Sequence, residues 1–272
     1  MNLKNIIAVP IAFGLTLSSV PLLNSPAHAK TVKIPVPKTL VSTAFNTALG
    51  SMQVNVDNFG KKKGRSSWHQ DSSYILLPNG VKKSFPIPEY KYNVTKTRQL
   101  KYYVDDMKTS SIQATVNGKR IQGTVRFESQ GEEIKAKCIR RRLKKWGECS
   151  LKMERDIHLN NSILSMSLVP VAYNGSISYA NPKVDFKTDL RISSKLCQTF
   201  KGLCSRIEGK IKGELTNSIE QQLTSGLNNS AVRAKVASSV KKSLGGRLKQ
   251  YKNWKITKIS SKGNNFILTL SN

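Results

Sequence analysis

Apolar positions recur every second residue between about residue 52 and residue 195, and every three or four residues on either side of that span. Met52, Val54 and Val56 alternate with polar neighbours, as do Tyr90, Tyr92 and Val94, and later Val184, Phe186, Leu190 and Ile192. Alternation of this kind marks strands with one buried and one wet face. Tyr74–Leu77 and Val81–Phe85 flank Pro78-Asn79-Gly80, and Ile112–Val116 and Ile121–Phe127 flank Asn117-Gly118. Ile157–Leu159 and Ile163–Val169 flank Asn160-Asn161-Ser162. Each pair predicts two strands joined by a turn, with Asn117-Gly118 the strongest signal. Ile134–Cys138 with Cys149–Met153, and Ile256–Ile259 with Phe266–Leu270, are further candidate pairs.

Outside that span the period becomes helical. Val32, Ile34 and Val36 form a short strand; Pro37 then opens a helix over about 37–50, with Leu40, Val41, Ala44, Phe45, Ala48 and Leu49 as its apolar stripe and Gly50 as its stop. Ile207, Ile211, Leu215, Ile219, Leu223 and Leu227 are spaced by four, predicting a helix over about 205–228. Each step of four drifts ~40° around a helix, so this stripe winds across its surface, as suits a helix lying obliquely on a curved sheet. Ser230 can cap a last helix over about 230–245, with Val232, Val236, Val240 and Leu244 inward and Gly245-Gly246 as its end. The predicted fold class is therefore α+β: a long, highly curved antiparallel sheet wrapped on amphipathic helices.

Residues 1–29 stand apart. One charge, Lys4, precedes the apolar run Ile6–Leu17, and Ala27-His28-Ala29 gives a small-x-small site. This reads as a bacterial-looking signal peptide cleaved after Ala29, placing residues 30–272 in the periplasm or outside the cell as one basic α+β domain. Four cysteines suit that compartment: Cys138, Cys149, Cys197 and Cys204. Three connectivities are open, and the local pairs Cys138–Cys149 and Cys197–Cys204 are favoured. Zinc is the weaker reading, because no CxxC occurs and only His69 and His158 follow the leader.

Charge narrows the partner. Lys and Arg number 45 against 16 Asp and Glu, a net +29, which falls to +28 without residues 1–29. An anionic surface or ligand is the expected partner. Seven of the eleven residues from Lys135 to Lys145 are basic and none is acidic. The favoured Cys138–Cys149 bridge would close this run into a hairpin tip, with Arg140, Arg141, Arg142, Lys144, Lys145 and Trp146 as anion- or headgroup-binding residues. Lys61-Lys62-Lys63-Gly64-Arg65 reads as a solvated loop. Gln221–Asn272 holds ten basic residues and no acid. No nucleic-acid reader motif with interleaved aromatics accompanies this charge, so nucleic acid is not the expected partner.

Enzymatic patterns are missing. No GxSxG, HExxH, P-loop or GxGxxG occurs. Ser66-Ser67-Trp68-His69-Gln70-Asp71 clusters triad residue types locally, which is not how a triad is built, and Ser238–Lys241 matches SxxK without its companion motifs. Asp105-Asp106 and Glu132-Glu133 would face opposite ways on a strand. A protein without enzymatic activity, cofactor or metal is expected.

The order of strand, amphipathic helix, many strands, winding apolar helix and closing strand resembles the tubular lipid-binding superfamily, which includes the bactericidal/permeability-increasing proteins. The stretches that carry the resemblance are Pro37–Gly50, Ile207–Leu227 and Gly175–Pro182, within a span of roughly Val32 to Leu270. The resemblance implies a curled sheet on a long helix, an apolar groove for acyl chains, and a basic tip in members that bind lipopolysaccharide, here Arg140–Trp146. Phe45, Leu49, Ile211, Leu215, Ile219 and Leu223 are then the candidates to line an apolar slot. The expected function is binding of a lipid or other amphiphile at an anionic membrane or envelope surface. The alternatives are a closed-core envelope protein that binds polyanions (polysaccharide, lipopolysaccharide or nucleic acid) by surface charge alone, and a hydrolase or cell-wall enzyme without a recognisable motif.

Overall fold

Two seventeen-residue strands, β14 (Ile157–Tyr173) and β15 (Ser176–Ile192), form the longest antiparallel pair of the computed structural model, which describes residues 30–70, 72–128, 133–149, 157–192 and 201–272. They open an eight-stranded sheet. From β15 it runs through β14, β11 (Arg120–Glu128), β9 (Met107–Thr109), β2 (Gln53–Val56) and β5 (Tyr74–Leu76) to β6 (Lys82–Ser84), and β10 (Gln113–Asn117) pairs with β11 off that path. A second sheet runs β13 (Lys145–Cys149), β12 (Ile134–Arg142), β8 (Arg98–Val104), β7 (Tyr90–Thr95). A third sets β17 (Asn265–Ser271) between β1 (Thr31–Pro37) and β16 (Lys255–Lys262), and a small hairpin pairs β3 (Phe59–Lys63) with β4 (Ser67–His69). The fold is α+β with a strongly curled antiparallel sheet. Among the described residues the strands fall into four hydrogen-bonded groups rather than the single long sheet expected.

Curling has a local cause. β14 and β15 lose register between Asn160 and Ile163 and again between Ser167 and Val169, with Asn161 and Asn181 at φ 52° and 48°. Each irregularity bends the strand and increases its twist. Asn160-Asn161-Ser162, predicted as a turn, is the first of these bulges inside a continuous strand. The turn lies at Asn174-Gly175, with φ of 48° and 72°, the doubly left-handed geometry that Asn-Gly accepts at little cost. At the β10–β11 hairpin the loop is Gly118-Lys119, one residue beyond the predicted Asn117-Gly118, because Asn117 pairs with Arg120.

The helices are α1 (Lys38–Leu49), α2 (Lys201–Leu227) and α3 (Ser230–Leu244), the last capped by the Asn229 side chain rather than Ser230. Ile207, Ile211, Leu215, Ile219, Leu223 and Leu227 are all buried, and so are Val232, Val236, Val240 and Leu244. α2 and α3 lie along β15, and α1 packs on α3 and β10. β15 is a sheet edge, and α2 covers it with carboxylates. Glu220 accepts from the Phe186 N–H and Glu208 from the Ile192 N–H, both at 2.8 Å. Two of the few acidic residues thus satisfy an edge that would otherwise invite another strand. Tyr179 donates to the Leu227 carbonyl at 2.8 Å, which satisfies an orphan acceptor at the end of α2. Among the described residues no helix is long and apolar enough to cross a membrane. The predicted signal peptide lies outside the described residues.

Candidate anion-binding surface

The second sheet is covered on both faces. Leu100, Tyr102, Ala136 and Cys138 face the main core. On the opposite face Tyr103 and Ile139 join Trp68 in a separate small core, with Phe59 and Trp146 packed around it. The β3–β4 hairpin supplies Phe59 and Trp68 and lies as a strap over that outer face. Tyr103 meets both rings, at centroid distances of 5.6 Å to Phe59 and 6.4 Å to Trp68. A face that alternation predicts to be wet is therefore partly dry.

Glu89 anchors this small core. It pairs with Lys101 at 2.8 Å and Lys91 at 3.0 Å, and Tyr103 donates its hydroxyl to it at 2.6 Å. Burial pushes the Glu89 carboxyl up, but the hydrogen bonds from Lys101, Tyr103 and Lys91 outweigh that and hold it at about 2. Lys101 is 6% exposed, so its charge depends on this carboxylate. Lys91 and Lys101 lie directly opposite each other on β7 and β8. Glu89 bridges this like-charge cross-strand pair and offsets one of its two charges.

Beyond this core lies the hairpin tip, which holds the predicted anion-binding residues. Cys138 and Cys149 are directly opposite and disulfide-bonded, with Cα atoms 5.0 Å apart. Cys204 is also disulfide-bonded, and Cys197 lies outside the described residues. Past the Cys138–Cys149 bridge, Arg140 faces Gly147, Arg141 faces Trp146 and Arg142 faces Lys145. The turn is Leu143-Lys144, with φ of 45° and 64°. Neither residue favours that left-handed region, which costs of order 1 kcal/mol each. Leu143 is 98% exposed at the apex. Trp146 is half-buried against the small core, so it braces the hairpin from one side.

Strand alternation sorts the cations. Ile139, Arg141 and Trp146 share the face under the strap. Arg140, Arg142 and Lys145 share the other face with the disulfide, and Arg98 of β8 lies opposite Arg140 there. Arg98/Arg140 and Arg142/Lys145 are thus two like-charge cross-strand pairs side by side. Among the described residues no carboxylate pairs with any of the four, in contrast to Lys91/Lys101. Glu148, the acid closest to the tip in sequence, pairs with Lys62 of the strap at 2.6 Å.

The strap also carries Lys61–Lys63 and Arg65, so a loop that reads in sequence as solvated charge is tied to the Arg140–Lys145 tip. Lys62 and Lys137 lie over the Trp68 ring at 6.0 and 5.8 Å. Arg98, Leu143 and Lys62 carry no local sequence signal. Arg98 becomes visible only through strand register, and Lys62 only through the fold of the strap.

The apolar slot candidates lie elsewhere. Phe45, Leu49, Ile219 and Leu223 are fully buried in the main core, and Ile211 and Leu215 are 5% and 2% exposed. The last two border a cavity of about 20 Å³ together with Tyr90, Tyr102 and Glu214. That is room for about one water. Among the described residues no group of acidic, His and Cys side chains is arranged to hold a metal ion.

No protein-family model matches the chain, and no curated protein matches it. Among solved structures, a crystal structure of lipopolysaccharide binding protein aligns at 10% sequence identity and a TM-score of 0.29, covering 82% of this chain and 50% of that one. The chain thus spans about half the length of that structure, and a score this low establishes neither a shared fold nor a shared function.

Proposed function

We propose that this protein is an exported, non-enzymatic binder of amphiphiles at an anionic envelope surface, and that the 140–146 tip is its headgroup-contacting element. The observation that carries this reading is the two like-charge cross-strand positions, Arg98/Arg140 and Arg142/Lys145, for which no described carboxylate supplies a partner. Elsewhere on the same sheet Glu89 bridges a lysine pair; at the tip no carboxylate among the described residues does so, and an anionic headgroup would take that place. Guanidinium groups spaced along one strand face suit phosphate oxygens. Leu143, held fully exposed in a costly backbone conformation at the apex, supplies an apolar contact between the cations and a bilayer. Acyl chains would enter the apolar interior between α1, α2 and the sheet, where opening must separate side chains that are now buried.

Flotation with phosphatidylglycerol and with phosphatidylcholine vesicles tests the reading. Binding to the first and not the second is expected, and loss of vesicle binding only when the tip arginines are replaced would place the contact there. Equal binding to both, or none to either, would overturn it.

The burial of all six slot candidates favours a second reading, a closed-core protein that binds polyanions by surface charge. Salt separates the two. Contacts made by charge alone weaken steeply as ionic strength rises, because exposed charges are screened within about 8 Å at physiological salt. Binding that also buries Leu143 and acyl chains retains a salt-independent part.

A further inference from the structure

An opening with a mostly apolar lining lies far along the chain from the tip. It is a cavity of about 450 Å³ between the C-terminal end of α3, the segment 245–254, and the closing strands β16 and β17. Leu244, Ile256 and Leu270 form its floor and are buried in the main core. Leu248, Tyr251 and Trp254 lean over it, each only half-buried, with the Tyr251 and Trp254 rings edge to face at 5.6 Å. The segment that carries these three bonds to itself. Leu248 N–H reaches the Leu244 carbonyl, Tyr251 that of Leu248, and Trp254 that of Tyr251; the next bond to the sheet is Ile256 N–H to the Gly175 carbonyl at 3.1 Å. These three large side chains, packed against the main core, therefore wall an apolar groove that is open to solvent.

The rim has one sign. Lys241, Lys242, Lys249 and Lys252 all line the cavity and are all exposed. Lys241 and Lys242 are in the last turn of α3, where cations also complement the helix dipole. Lys249 and Lys252 lie in and just after the 3-10 turn Lys249–Tyr251. No Asp or Glu occurs from Gln221 to Asn272, and among the described residues none of the four lysines is in an ion pair.

We infer that this cavity binds a single-chain anionic amphiphile, such as a lysophospholipid or a fatty acid. The chain lies against Leu248, Tyr251 and Trp254, and the headgroup meets Lys249 and Lys252. The volume sits in the lower half of the range of small-molecule sites, about 300–1,000 Å³, which suits one acyl chain rather than two. Charge complementarity selects an anionic head over a neutral one. The inference shares its ligand class with the proposed function but not its site, and it stands or falls without the tip.

Native mass spectrometry of the purified protein with monomeric lysophosphatidylglycerol tests it, with lysophosphatidylcholine as the neutral comparison. A one-to-one complex with the anionic probe is expected, tighter than with the neutral one. Lys249→Gln with Lys252→Gln should weaken the anionic complex about tenfold or more and leave the neutral one unchanged. Ser238→Trp, placed on an exposed rim position, should fill the mouth and abolish both. Should that variant melt below the wild-type temperature, the double lysine variant decides alone. Arg140→Gln with Arg142→Gln should keep the complex while losing vesicle binding. The absence of a complex, equal affinity for the two probes, or loss of the complex in the tip variant would overturn the assignment.

Discussion

Arg98 on β8 lies directly opposite Arg140 on β12, with no carboxylate among the described residues to separate their charges. Like charges in that position destabilise a sheet by a few tenths of a kcal/mol to about 1 kcal/mol. Arg140→Glu should therefore raise stability at low salt by about 0.5 kcal/mol, read as a shift in urea midpoint. The same change should weaken binding to anionic vesicles by at least about fivefold, since each basic residue near such a surface contributes ~1 kcal/mol. A variant that loses stability and keeps its binding would show that Arg140 serves the fold rather than a ligand.

Glu89 makes the stability of the small core pH-dependent, with a sign fixed by its depressed carboxyl. Its folded value of about 2 lies below the ordinary 4.5, so its contribution is complete above about pH 4.5 and is lost as pH falls toward 2. Denaturant midpoints measured across that window should fall in the wild type and change less in Glu89→Gln. Glu89→Ala strands the buried Lys101 ammonium and should cost about 3 kcal/mol at neutral pH.

Trp68 closes the strap onto the sheet. Trp68→Ala removes the largest side chain of the small core, which should cost about 3 kcal/mol and expose Tyr103. Hydrogen exchange should quicken in β3 and β4 and around Ile139, while the β14–β15 pair keeps its protection. A uniform change across the molecule would mean that the strap is part of the main cooperative unit.

Cys138–Cys149 marks the boundary between core and tip. Replacing both by Ala should lower stability by about 2 kcal/mol. It should also loosen the 140–146 turn, seen as faster amide exchange confined to β12 and β13 beyond the bridge. Unchanged exchange in the tip would show that Trp146 and the β8–β12 pairing hold it unaided.

The parts of this architecture that were legible in the sequence share a cause: they repeat a period. β11 alternates buried and exposed along its whole length, and α2 buries a residue at every fourth position from Ile207 to Leu227, so pattern and burial coincide. The strap broke that correspondence. Lys101 counts as polar in any alternation, yet it is buried because Glu89, twelve residues earlier, meets it. Phe59 and Trp68 flank a loop whose lysines suggest only solvent. Asn160-Asn161-Ser162 carries turn residues but lies in a strand, because an asparagine that tolerates left-handed φ serves a bulge as well as a turn. The candidate site was half legible. Its arginines are a run in sequence, whereas the Arg98 contact depends on register, and the 450 Å³ cavity depends on where three side chains wall an open groove.

The central claim is that the tip meets an anionic bilayer, and Leu143 reports on it most directly. An indole placed at the apex by Leu143→Trp should shift its emission to shorter wavelength on phosphatidylglycerol vesicles and be quenched by brominated acyl chains, with little change on phosphatidylcholine. Emission that stays that of a solvated indole while the protein floats with the vesicles would show that another surface makes the contact.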